Sequence, residues 1–335
     1  MSKKRPSSRE TLKGSRHKFS SFLAVLGKKY PALFFFALVF VLLINTKSPN
    51  YYSDKLFQNL KSFTSPQTIN TKFLSLPSSY PQKNQNSSLS PFTTSKSLFV
   101  VDPNSSVILF AHNPDSKLLP ASTTKLMTAL VALESCVPDQ VAIVKRARVD
   151  GTVIGLSQGE RITVRNLLFA TLISSANDAA FALADNCSAD YQTFIYRMNE
   201  RAKELNMNDT NFSNPAGLDS PDLYSTAGDL AKLAKAAFLE SPIIEQISNT
   251  RALVMNNTLA GKTYSLTNLN ELLFNVPGVI AGKTGTTDGA GQNLVTLTDR
   301  NGRDLIIVLL GSQNRFEESK LFIEWAYQNF SWVDY

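Results

Sequence analysis

Ser122 stands three residues before Lys125 in PASTTKLMTALVALE, residues 120–134. Positions three apart share one face of a helix, so the lysine amine can reach the serine hydroxyl. Serine alone is a weak nucleophile. A lysine whose charge is disfavoured by burial or by a second cation can take its proton. Pro120 suits a first helical turn, which would put Ser122 where free N–H groups and the helix dipole stabilise developing negative charge. A serine-x-x-lysine pair is common and says little alone. Two further groups bear on it. Ser175 and Asn177 present a hydroxyl and an amide from a break between two helical runs. Lys283, Thr284 and Gly285 lie on an expected strand, with Gly282 before them and Thr286 after. The second group follows the first by 53 residues and the third follows the second by 108.

Other chemistries are poorly supplied. Of two histidines, His17 lies in the basic N-terminal tail, which leaves His112 as the one histidine for a Ser-His-Asp triad or a zinc site. His112 follows an expected strand in a turn-like AHNPDSK context. Neither a phosphate-binding loop nor a G-x-G-x-x-G motif occurs. No metal and no cofactor is expected. The formal charge of +7 resembles a nucleic-acid signal, but residues 1–30 carry nine basic residues against one acid, and the remainder has 25 basic and 26 acidic. The body is near neutral, so a nucleic-acid partner is unsupported.

The elements that must position these groups follow from periodicity. SLFVVDPNSSVILFAH reads as two strands around a turn. VAIVKRARV alternates like a strand. ITVRNLLFATLISSANDAAFALADNC reads as two helices broken at Ser174–Asn177. DYQTFIYRMNERAKELN is amphipathic, with Tyr191, Phe194, Ile195 and Met198 on one face. STAGDLAKLAKAAFLE starts at a Ser225 or Thr226 cap. GVIAGKTGTT, QNLVTLTD and RDLIIVLLGS are strands, the last two joined by an Arg-Asn-Gly turn. FEESKLFIEWAYQNF is a final helix. Helices in the middle and strands from both ends predict an α+β fold, an antiparallel sheet packed against a helical subdomain.

Upstream, residues 1–29 form a basic tail. YPALFFFALVFVLLI opens an apolar segment over 30–45, short for a membrane span and about right for a signal-peptide core. The dense basic flank and the lack of a small-x-small site after it favour an uncleaved anchor with a cytoplasmic N-terminus over a cleaved signal peptide. Either way the rest lies outside the cytoplasm. Residues 46–95, rich in Ser, Thr, Asn, Pro, Gln and Lys, read as a flexible stalk before a catalytic domain over 96–335. Cys136 and Cys187 could form a disulfide or remain buried thiols.

The ordered set S-x-x-K, S-x-N and K-T-G resembles the signature of penicillin-binding proteins and serine β-lactamases. The flanking text, LSQGERITVRNLLFATLISSANDAAFALA, NFSNPAGLDSPDLYSTAGDLAKLAKAAF and GVIAGKTGTTDGAGQNLV, resembles the D-alanyl-D-alanine carboxypeptidases of serine peptidase family S11, over about residues 96–330. That resemblance implies a β-lactamase/transpeptidase-like fold and a serine peptidase that removes the terminal D-Ala of peptidoglycan stem peptides, with β-lactams as covalent inhibitors. It implies Ser122 as the acylated nucleophile, Lys125 as its general base and Ser175 as a proton relay. Asn177 would hold the substrate amide, while Lys283 and Thr284 would attract the terminal carboxylate. The N–H groups of Ser122 and Thr286 would form the oxyanion hole, and Gly285 would let the substrate lie along the strand. Many relatives have histidine where Ala216 stands in Asn214-Pro-Ala-Gly-Leu218, so no catalytic role is expected of that segment. Many also continue into a C-terminal β-domain and anchor helix. Ending at Tyr335 fits a tether moved to the N-terminus, and it resembles shorter members that act as endopeptidases on cross-links. A β-lactamase is disfavoured because Ala202 stands where E-x-x-L-N has its deacylating glutamate and because the second motif is S-A-N. An inactive cell-wall-binding homologue is the remaining alternative.

Overall fold

The structure, a computed structural model, describes residues 79–146 and 149–334. The expected tail, anchor segment and most of the expected stalk lie outside the described residues. In chain order the elements are β1 (Ser79–Lys83), β2 (Ser97–Val101), β3 (Ile108–His112) and a 3₁₀ turn (Ala121–Thr124) that leads into α1 (Lys125–Ser135). Then come β4 (Val141–Ile143), β5 (Arg161–Thr163), α2 (Val164–Leu172), α3 (Asn177–Asn186), α4 (Tyr191–Glu204), α5 (Ala227–Phe238) and α6 (Pro242–Asn249). The chain finishes with β6 (Ala252–Asn257), β7 (Lys262–Thr267), α7 (Leu272–Asn275), β8 (Val279–Thr287), β9 (Gly291–Asp299), β10 (Asp304–Ser312), α8 (Arg315–Asn329) and β11 (Phe330–Asp334).

The central sheet is antiparallel, in the order β3-β2-β10-β9-β8. β10 and β9 are runs of branched and aliphatic residues because both of their faces are covered. α8 packs on one face, with Phe322 and Ile323 set among Leu98, Val100, Ile307 and Leu309. α5 packs against β2, β9 and β10, and Leu230, Leu233, Ala234 and Ala237 on it are buried. Thr226 caps α5 by accepting the Asp229 N–H at 3.1 Å, one of the two expected caps.

α1 is the axis of the helical part and touches α2, α3, α4, α5 and α6. Its residues 125–132 are all buried, which is why LMTALVAL is apolar around the whole helix instead of along one stripe. Cys136, which closes α1, is bonded to Cys187, which closes α3, so the pair left open by spacing is a disulfide. The bridge ties the far ends of the helices that begin with Lys125 and Asn177.

Three expectations need correction. The stretch VAIVKRARV is a strand over Val141–Ile143 alone. The hairpin β6–β7 was not anticipated, because Thr-Leu-Ala-Gly, residues 258–261 between its strands, lacks a two-residue turn signal. The boundary at residue 96 is too late. β1 pairs with β11, from Ser79 opposite Asp334 to Lys83 opposite Phe330. Buried Glu318 on α8 accepts from the hydroxyls of Thr93, Thr94, Ser95 and Ser312. The hydroxyl-rich composition that resembles a linker is the partner set of one buried carboxylate, which must be hydrogen-bonded to stay ionised.

Removing the bridge by Cys136→Ala with Cys187→Ala frees a 51-residue separation in the unfolded chain. Urea unfolding of the double variant is expected to show a loss of about 2–4 kcal/mol.

Candidate active site

Pro120 and the 3₁₀ turn deliver Ser122 at the edge of the buried helix start. Ala121, just before it, is fully buried and adopts φ +50°, a conformation rare for a residue with a Cβ. Lys125 opens α1 with no solvent exposure. Its Nζ lies 2.7 Å from Ser122 Oγ and 2.8 Å from the carbonyl oxygen of Ala216. Burial, and then the nearby charge of Lys283, hold the Lys125 pKa well below the ordinary lysine value. The amine is therefore biased toward the free base, at proton-transfer distance from the hydroxyl.

The segment Asn214–Leu218 positions that lysine through its backbone, a role sequence reasoning did not give it. The Asn214 carboxamide oxygen accepts from the N–H groups of Gly217 and Leu218, at 2.8 and 2.9 Å, and so shapes the loop. Thr128 on α1 donates to the Pro215 carbonyl at 2.6 Å. Gly217 sits at φ +80°, and a Cβ there would lie 1.8 Å from the Ala121 carbonyl oxygen, so no side chain fits.

Ser175 and Asn177 sit where α2 gives way to α3. Ser175 is buried and strained at φ +58°. Its Oγ accepts from Lys283 Nζ at 2.7 Å. Asn177 is fixed by the loop before β5: its Nδ2 donates to the Asp150 carbonyl at 2.5 Å and its own N–H to the Thr152 carbonyl at 2.7 Å. The next residue, Asp178, pins that loop by accepting from the N–H groups of Gly155 and Leu156, both at 3.0 Å. Asn177 Oδ1 is buried and has no hydrogen-bond partner among the described residues. A buried acceptor of this kind is ready for an incoming amide N–H.

β8 forms the third wall. Lys283 is buried, and burial together with the charge of Arg315 brings its pKa down to about 7. A Cβ on Gly285 would lie 3.0 Å from the Ser122 nitrogen and 3.1 Å from the Pro120 carbonyl oxygen, so glycine lets β8 close on the turn that carries Ser122. Thr284 is buried and Thr286 is exposed. Arg315, the first residue of α8, donates to the Gly285 carbonyl at 3.0 Å and also contacts the Thr286 hydroxyl. No motif signalled this arginine. A lone basic residue opening a helix reads as surface, and only the sheet brings it to β8.

Of the eight residues singled out by sequence, the structure joins Lys125 to Ser122 and Lys283 to Ser175, sets Gly285 against the Ser122 nitrogen, and holds Asn177, Thr284 and Thr286 next to these along the chain. It sets His112 apart, exposed at the end of β3. β3 is the opposite edge of the sheet, four strand spacings or about 19 Å from β8.

The sequence matches the family model of Peptidase_S11, the D-alanyl-D-alanine carboxypeptidases, over residues 84–314. The chain belongs to that family. It is 34% identical over 263 residues to the D-alanyl-D-alanine carboxypeptidase DacC of Escherichia coli K12, covering 72% of this chain and 64% of that protein. The chain therefore spans a little under two thirds of the carboxypeptidase it matches. A D-alanyl-D-alanine endopeptidase of Escherichia coli K12 is also 34% identical, over 70% of this chain and 78% of the endopeptidase. Among solved structures, the D-alanyl-D-alanine carboxypeptidase of Mycobacterium tuberculosis H37Rv superposes with a TM-score of 0.68 at 28% identity, covering 74% of this chain and 96% of that one. The α+β transpeptidase-like fold expected from the sequence is the fold found.

Gly285→Ala places a methyl group against the Ser122 nitrogen, so β8 must move by a few tenths of an ångström. Acylation by a labelled penicillin is expected to slow by about tenfold, within the range that small misplacements cost, with little change in melting temperature.

Proposed function

We propose that the chain is a serine DD-peptidase acting on peptidoglycan stem peptides that end in D-Ala-D-Ala. The observation that carries this reading is the buried Lys125 amine, 2.7 Å from Ser122 Oγ, with a second buried lysine on Ser175 across the same site. Ser122 Oγ attacks the carbonyl of the penultimate D-Ala while Lys125 Nζ takes its proton. The carbonyl oxygen becomes negative and is received by the N–H groups of Ser122 and Thr286. The proton passes to the leaving amine through the Ser175 hydroxyl, the C–N bond breaks and D-Ala departs. Water then repeats the attack on the acyl-enzyme and frees Ser122. Asn177 holds the donor amide, and Lys283, Thr284 and Arg315 draw the terminal carboxylate. β-Lactams enter the same path and remain as slowly hydrolysed adducts, since buried Ala202 on α4 offers no carboxylate of the deacylating kind.

A second reading, endopeptidase cleavage of cross-links, is favoured by the endopeptidase relative, of which the chain covers a larger share than of the carboxypeptidase. The chemistry at Ser122 is the same, and only the leaving amine differs. We also place the catalytic part outside the cytoplasm, held by the apolar segment 30–45, where peptidoglycan and an oxidising environment for the Cys136–Cys187 bridge are found. Among the described residues no helix is long and apolar enough to cross a membrane.

Incubation with a labelled penicillin is expected to leave the label on Ser122 through denaturing electrophoresis. Ser122→Ala is expected to abolish labelling and to lower D-Ala release from a pentapeptide by at least about 10³-fold. Free D-Ala marks carboxypeptidase action, and monomers formed from cross-linked dimers mark endopeptidase action. Rapid turnover of the penicillin with no adduct, or D-Ala release that survives Ser122→Ala, would count against the assignment.

A further inference from the structure

Arg315 reaches β8 from the first residue of α8, so its place depends on the turn that starts that helix. The N-cap, Asn314, makes no side-chain cap hydrogen bond. The N–H groups of the turn are met from elsewhere in the chain. Gln313 donates to Thr94 Oγ1 at 3.0 Å, Asn314 to Ser312 Oγ at 2.9 Å, and Arg315 to Gln292 Oε1 at 3.2 Å. The two hydroxyls that accept here give their own hydrogens to one oxygen of buried Glu318, Ser312 at 2.8 Å and Thr94 in a closer contact. Thr93 repeats the pattern, accepting the Ser95 N–H at 3.0 Å and donating to the other Glu318 oxygen. Ser95 Oγ and the Thr94 N–H also donate to that second oxygen, at 2.9 and 3.2 Å.

An ionised carboxylate only accepts. Every hydroxyl around Glu318 therefore points its hydrogen inward and turns its lone pairs to a backbone N–H. One charge sets the direction of three such relays, and two of them end on the turn before Arg315. The strand of chain that brings the threonines has little slack. Ser88 binds Asn329 and Thr93 binds Glu318, so five residue steps of chain run beside eleven of α8. Both lengths come to about 16.5 Å, at about 3.3 Å per extended residue and about 1.5 Å per helical one. Past the turn, Arg315 holds the Gly285 carbonyl at 3.0 Å and contacts the Thr286 hydroxyl. Its Nε is buried with no hydrogen-bond partner among the described residues, a donor left over for an anion.

We propose that Glu318 is a positioning residue for substrate recognition. Through the hydroxyls of Thr94 and Ser312, its carboxylate fixes the turn that aims the Arg315 guanidinium at the terminal carboxylate of the stem peptide. This rests on the DD-peptidase reading. Glu318 itself touches neither substrate nor reacting atoms. Residues 93–95, upstream of every motif, thereby belong to the apparatus that recognises the end of the substrate. Glu318→Gln keeps the shape of the side chain but puts an NH₂ donor where the carboxylate accepts. At least one hydroxyl must then turn round, and its hydrogen faces a backbone N–H.

The test uses the full-length protein and measures kcat and KM for D-Ala release from a pentapeptide, penicillin labelling and melting temperature. Glu318→Gln is expected to lower kcat/KM about tenfold, the scale of a small misplacement, chiefly by raising KM. Thr94→Val, at an exposed position, is expected to give a smaller loss in the same direction, and Thr94→Ser to restore the wild-type value. In an Arg315→Met background Glu318→Gln is expected to add less than about twofold, because the residue it acts through is gone. A loss of the same size in both backgrounds, or a loss in kcat alone, marks a merely structural role and overturns the proposal. Wild-type kinetics in both Glu318→Gln and Thr94→Val overturn it too. If Glu318→Gln does not fold, the Thr94→Val loss with and without Arg315→Met decides in the same way. A wild-type protein that neither labels nor releases D-Ala overturns the DD-peptidase reading beneath it.

Discussion

Two lysine ammonium groups cannot both keep their charge in one water-poor space. Lys125 is wholly buried and Lys283 nearly so, and the charge of Lys283 is among the causes that depress Lys125. Desolvation disfavours each charge, and mutual repulsion disfavours the second still more. The arrangement disfavours the proton on both amines, beside Ser122 and beside Ser175, and holds the Lys125 pKa well below the ordinary lysine value. Below about pH 7 Lys283 holds its proton and can attract an anion, and above that it gives the proton up. A pair of this kind persists only if the fold holds both groups against their tendency to reach water.

Much of the molecule supplies that restraint. α1 is enclosed by helices, so Lys125 has no route outward. The bridge between Cys136 and Cys187 fixes the far ends of α1 and α3. The loop 149–157 is pinned by Asp178 and in turn holds Asn177. The segment Asn214–Leu218 gives Lys125 its second partner, with Gly217 shaped to the turn before Ser122. β8 is stabilised in the sheet by pairing with β9 and approaches Ser122 through a glycine. Strain at Ala121 and Ser175 is local to the two turns that present hydroxyls, where surrounding packing can sustain it.

The arrangement of the candidate site was legible in the sequence because its members fall in short motifs. Lys125 meets Ser122, Lys283 meets Ser175 and Gly285 closes on the Ser122 nitrogen, so the three motifs lie side by side. The strands β8 to β10 and the helices α1 to α5 and α8 were readable because their apolar patterns are long and regular. What escaped was of another kind. Arg315 acts through tertiary approach, and nothing adjacent in sequence marks it. Ala216 acts through its carbonyl, which every residue has. The segment 79–95 resembles a linker because the buried carboxylate that its hydroxyls serve lies more than 200 residues away, at Glu318. Whether Cys136 and Cys187 are bonded depends on the distance between two helix ends, which spacing along the chain cannot give.

The central claim is that Lys125 is a free base at the pH where Ser122 is acylated. Its direct test is an NMR titration of selectively ¹³C-labelled lysine side chains in the intact protein, with the Lys125 resonance assigned by Lys125→Arg. The expected result is a Lys125 resonance that loses its proton well below the ordinary lysine range of about 10.4, apart from the surface lysines. A Lys125 resonance that titrates with the surface lysines would contradict it.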